Sequence, residues 1–121
     1  MTIAHTPIES HETHSKRLLE HAQEQLDQGD RLQASEKAWG AVAHRLEAIA
    51  EQRGWRYRSH TDVNRVVGRL ARDMKEPRLT TLVSVAHSLH QNYYEDAMPE
   101  ELIQHNIDDM KEMLDILARA L

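Results

Sequence analysis

Apolar residues in this chain recur at steps of three and four and never alternate over a strand-length run, so the pattern predicts helices throughout. A first helix is expected from about His14 to Gln28, with Leu18, Leu19, Ala22 and Leu26 on its buried face. Gly29 suits the left-handed position past a helix end, and Asp30 with Gln33 three residues on opens the next helix, so the two fold back as an antiparallel hairpin. The second helix, Arg31 to about Arg53, places Leu32, Ser35, Ala38, Trp39, Val42, Leu46 and Ile49 on one face. Its many alanines keep it thin, which marks it as the central spine. Gly54 closes it.

A connector, WRYRSH, leads to a third helix capped by Ser59 with Asp62, running to about Asp73 on Val63, Val66, Val67, Leu70 and Met74. Pro77 breaks the chain before a fourth helix, Leu79 to Glu95, whose face is Leu79, Leu82, Val83, Ala86, Leu89 and Tyr93. Pro99 is expected at the first position of the last helix. This helix should run to Leu121 on a heptad-like seam of Ile103, Ile107, Met110, Leu114, Leu117 and Leu121. The reading is all-α, an up-and-down bundle of about five helices in a single domain over residues 14–121, preceded by a flexible tail over 1–13.

Composition narrows the chemistry. The chain has 121 residues, no Phe and no Cys, so aliphatic side chains must build the core, and thiolate metal sites and cysteine nucleophiles are excluded. No apolar run is long enough to span a bilayer, and the N-terminus carries no secretory pattern, which places the chain in the cytoplasm by default. His11 and His14 beside Glu9 and Glu12 are a weak divalent-metal grouping on a tail that would not fix its geometry, so no metal and no cofactor are expected.

The net charge of −5 is unevenly distributed. Residues 53–78 hold eight Lys/Arg against three Asp/Glu, a sum of +5, between flanks of −4 and −6. Within that segment arginines alternate with Trp55 and Tyr57, a composition that grips phosphates and stacks bases, and Arg65, Arg69 and Arg72 form a stripe on the third helix. The stripe either meets the acidic last helix or forms a phosphate-binding strip. The fourth helix ends in a second polar group, His87, His90, Asn92, Tyr93, Tyr94 and Glu95, which reads either as the wet end of a core helix or as one wall of a cleft.

At QASEKAWGA (33–41), RGWRYRSH (53–60) and LHQNYYE (89–95) the sequence resembles the PaREP-type proteins, a branch of the HEPN helical superfamily, over roughly residues 16–120. The resemblance implies a helical bundle that forms a dimer, related to toxin-type RNases and to partners of minimal nucleotidyltransferases. Catalytic members carry an Arg, then four to six residues, then a His near the start of a late helix. Here Arg53 and His60 keep that count but lie in the connector, while Arg78 and His87 lie in the expected region with a longer gap.

The expected function is a nucleotide- or RNA-binding accessory module. Arg56, Arg58, Arg65 and Arg69 would hold phosphate, and His60, His90, Asn92, Tyr93 and Glu95 would line the cleft. A metal-independent RNase is the alternative, with Arg58 as phosphate stabiliser and His60 or His90 in proton transfer. A third reading is a protein-interaction module whose arginines pair only with its own acids.

Overall fold

A computed structural model describes residues 7–120, with side chains described from residue 12 onward. Five helices make up the described chain: α1 (Pro7–Asp27), α2 (Arg31–Arg53), α3 (His60–Asp73), α4 (Arg78–Glu95) and α5 (Glu100–Leu117). The helix boundaries follow local chemistry. Gly29 ends α1 with φ 86°, and the Asp30 carboxylate accepts from the Gln33 backbone N–H at 3.1 Å to start α2. Gly54 closes α2 at φ 70°, and the Ser59 hydroxyl accepts from the Asp62 N–H at 3.1 Å to start α3. Asp96, at φ 48°, takes the left-handed position after α4.

Two boundaries differ from the sequence reading. α1 begins at Pro7 rather than His14, so a helix occupies part of the expected tail; proline favours a first helical turn because it lacks an N–H that would be unpaired there anyway. α5 ends at Leu117, with Pro99 as its extended N-cap rather than its first helical residue. Residues 1–6 of the expected tail and Leu121 of the expected seam lie outside the described residues, as do the side chains of Glu9 and His11 in the weak metal grouping.

α1, α2, α4 and α5 enclose the core, and α3 lies against α4 and α2 at one side. As its alanines predict, α2 packs against all four other helices. The core holds Leu46, Ile49, Leu70, Leu79, Leu82, Leu89, Ile103, Ile107, Met110, Met113 and Leu117, all fully buried. Burial of each such side chain contributes about 1.5–3 kcal/mol, so aliphatic packing alone accounts for the bundle without a single phenylalanine. Among the largest fully buried side chains one is charged: Arg45 on α2 reaches the Leu117 carbonyl at 3.4 Å. Burial lowers its pKa, partly offset by the charge of Glu12. Among the described residues no helix is long and apolar enough to cross a membrane.

Candidate functional site: a histidine cleft beside an arginine strip

Three helices bring their polar residues to one opening. On α2, Glu36 and Trp39 stand one turn apart. On α3, His60 and Asn64 are related by a four-residue step, and on α4 the residues His87, His90, Gln91 and Tyr94 follow steps of three, one and three, which is a single helical face. The resulting cleft, about 430 Å³, is lined by His60, Asn64, His87, His90, Gln91 and Tyr94. The half-buried Trp39 ring backs it: its centroid lies 4.9 Å from that of His90 in a stacked pair, 5.2 Å from His87 and 5.8 Å from His60. The His60 ring is 5.0 Å from His87 and 5.5 Å from His90.

Hydrogen bonds fix the imidazoles. His90 Nδ1 lies 2.8 Å from the Glu36 carboxylate, which can only accept, so Nδ1 carries the proton and Nε2 is left for the cleft. His87 Nε2 lies 2.8 Å from the Asn64 side-chain oxygen, which makes Nε2 the donor. The other nitrogen of His87, Nδ1, is buried without a partner. Its protonation would create a buried charge with nothing to accept from it. The His87 pKa is accordingly pushed down, first by burial and then by the neighbouring His60 and His90. His87 is therefore the neutral member that positions Asn64, while His60 and His90 line the opening.

The arginines occupy different ground. Each residue along α3 turns the helix by about 100°, so Arg65 and Arg69 face away from the flank of His60 and Asn64. They group instead around Trp55: the Arg53 and Arg69 guanidiniums sit 5.2 and 5.1 Å from its ring centroid, and Arg56, Arg65 and Arg69 line a small recess with it. The buried Asp62 carboxylate ties this corner together, accepting from the Arg58 N–H at 2.9 Å and pairing with Arg56 at 3.4 Å. Among the described residues Arg58, Arg65 and Arg69 form no ion pair, and α3 makes no packing contact with the acidic α5. The arginine that does meet α5 is Arg78, held by Glu112 at 2.9 Å and Asp109 at 3.6 Å, and that pairing raises its pKa.

The residues singled out from the sequence thus divide. His60 and His90 share the cleft; Arg56, Arg58, Arg65 and Arg69 surround or neighbour Trp55. Asn92 is a correction: it is buried and does not line the cleft, because its amide donates to Ser35 Oγ at 2.9 Å while its oxygen accepts from the Ala97 and Met98 N–H groups at 2.8 and 2.9 Å. Glu95 is exposed and accepts from Gln91 at 2.8 Å, and Tyr93 is half-buried with its ring edge-on to Tyr94 at 5.1 Å; neither lines the cleft. Neither Arg–His spacing forms a site. Arg53 packs on Trp55 and donates to the Ala120 carbonyl, and Arg78 is engaged by α5. Glu36, Asn64 and Gln91 belong to the site and were missed, although a four-residue step from His60 and a three-residue step from Trp39 were available to find two of them.

This architecture defines a small all-α bundle with a polar cleft between three of its helices. The chain belongs to the archaeal PaREP1/PaREP8 family, whose model matches residues 10–114. The fold is also that of a Sulfolobus solfataricus protein known from its crystal structure, at a TM-score of 0.76 and 17% identity over 98% of each chain. No curated protein matches this sequence.

Proposed function

We propose that this PaREP-family chain is a nucleotide- or RNA-binding helical module. The observation that carries this reading is the unpaired basic strip: in a protein of net charge −5, Arg58, Arg65 and Arg69 meet solvent without carboxylate partners among the described residues. An intramolecular purpose would have put acids against them, as Glu112 and Asp109 are put against Arg78. Unpaired arginines around an indole suit a phosphate backbone. A HEPN relationship, and with it a homodimer and a nucleotidyltransferase-like partner in the cytoplasm, is supported by the order of the three sequence blocks at 33–41, 53–60 and 89–95.

The test is retention of a labelled mixed-sequence RNA. Wild type retains it at low salt, and Arg65→Glu combined with Arg69→Glu reduces retention at least tenfold; equal retention by both proteins refutes the assignment.

A second reading, metal-independent RNA cleavage, is favoured by the Glu36–His90 hydrogen bond with His60 5.5 Å from His90 across the same cleft. A carboxylate-oriented imidazole facing a second imidazole suits general acid–base chemistry. This reading requires cleavage in the presence of EDTA that is lost in His60→Ala and His90→Ala while the fold is kept. Absence of cleavage by wild type leaves the binding module alone.

A further inference from the structure

The connector between α2 and α3 turns back along α2, where the Tyr57 hydroxyl donates to the Ala43 carbonyl at 2.9 Å. Between them lies a cavity of about 670 Å³, lined by Glu47 and Glu51 from α2 and by Trp55, Arg56, Tyr57 and Arg58 from the connector. We propose that this cavity takes an unpaired guanine base of a bound RNA strand, read by Glu47 and Glu51 on one edge and by Arg58 on the next. The proposal rests on the reading of Arg65 and Arg69 as a phosphate-binding strip, and it adds the base that the strand must carry.

The first support is the separation of charge across the cavity. Glu47 and Glu51 stand one turn apart on α2, and two guanidiniums belong to the same lining. Among the described residues neither carboxylate forms an ion pair, and neither does Arg58, while Arg56 is engaged by Asp62 at 3.4 Å. Opposite charges that share a cavity without meeting suit a ligand with acceptors for one wall and donors for the other. Guanine has that form. Its O6 and N7 accept from a guanidinium on one edge, while N1–H and the 2-amino group donate to a carboxylate on the next. Adenine instead sets an amine beside N7, and neither pyrimidine carries two adjacent donor groups.

The second support is continuity with the strip. Trp55 and Arg56 line both this cavity and the recess that holds Arg65 and Arg69, so strand phosphates and an inserted base follow one path. The volume falls within the ~300–1,000 Å³ range of small-molecule sites, which leaves room for a base with its ribose. Tyr57 is half-buried, and burial, reinforced by the charge of Glu47, pushes its phenol pKa up, so the ring stays neutral as a stacking partner. The third support is the cost of the acids. Two carboxylates beside a phosphate-binding strip repel the backbone, and that lost affinity is offset when they select a base.

The experiment is fluorescence anisotropy of the full chain with short labelled oligouridines carrying guanosine, adenosine, cytidine or inosine at the centre. The guanosine strand binds about tenfold tighter than the adenosine and cytidine strands, the discrimination expected of one bidentate pair, and inosine, which lacks the 2-amino group, falls between. Glu47→Gln with Glu51→Gln abolishes the preference and tightens binding of the adenosine strand, because the repulsion is relieved. Arg58→Lys keeps the charge and loses the fork, so it weakens the guanosine strand severalfold and leaves the others unchanged. All three positions are exposed, and circular dichroism melting confirms that the variants fold. Arg65→Glu with Arg69→Glu weakens every strand alike and keeps the preference. Free guanosine monophosphate competes weakly, since it makes a single phosphate contact; competition equal to that of the guanosine strand would overturn the assignment to RNA. Equal binding of all the strands, or a guanosine preference that survives the Glu47, Glu51 double variant, would overturn the guanine cavity while leaving the strip. Binding of no strand at all would overturn both.

Discussion

Asn92 shows how a polar residue at the end of a core helix serves the fold. It is 2% exposed, and its side chain joins α2 to the α4–α5 turn through Ser35, Ala97 and Met98. Asn92→Ala leaves two backbone N–H groups and a hydroxyl without that partner and should cost about 2–4 kcal/mol in a denaturant titration. Arg45 is a second buried polar side chain, 1% exposed in the α2 spine; Arg45→Ala should destabilise by about 3 kcal/mol or more, with the unfolding midpoint as readout. His87 supplies the pH dependence. Its folded-state pKa lies below the ordinary value of about 6.5, so the unfolded chain binds its proton more readily. The associated stability is fully present above about pH 6.5 and is lost as pH falls through the folded-state value. His87→Gln should therefore flatten the acid-side loss of thermal midpoint, and an unchanged pH profile would remove His87 from this account.

Among the elements, α3 carries the sharpest contrast. Its core side, Val63, Val66, Val67 and Leu70, is buried against the bundle, and its other side presents Arg65 and Arg69 with no acid to meet them. Replacing both by Glu breaks no ion pair and disturbs only the Arg69–Trp55 contact, so unfolding free energy should change by no more than about 1 kcal/mol. A larger loss would mean that the arginines hold the structure, as the interaction-module reading requires. The helices themselves were legible from sequence because caps and apolar spacing are local: Asp30, Gly54 and Ser59 act where their types predict. The site was less legible for a physical reason. Neighbours in sequence on a helix point 100° apart, so His90, Asn92, Tyr93 and Glu95 could not all face one cleft, whereas His87, His90, Gln91 and Tyr94 could. Glu36 and Asn64 enter the site from other helices, and which helix faces which is decided by packing that spacing alone does not encode.

For the molecule as a whole, the acidic and basic segments were readable as numbers but their pairing was not. The α5 acids engage Arg78 on α4, and among the described residues Arg58, Arg65 and Arg69 are left without acid partners on a protein whose overall charge repels nucleic acid. Any RNA held there must be held locally, through a few phosphates. The most direct measurement of that claim is the salt dependence of RNA affinity for wild type and for the Arg65→Glu, Arg69→Glu protein. With about three to four phosphates neutralised, log affinity should fall against log salt with a slope of about −2 to −3, and the double variant should lose at least tenfold in affinity and much of the slope. A flat salt dependence, or a slope and affinity untouched by the two substitutions, would contradict the basic strip as a phosphate-binding surface.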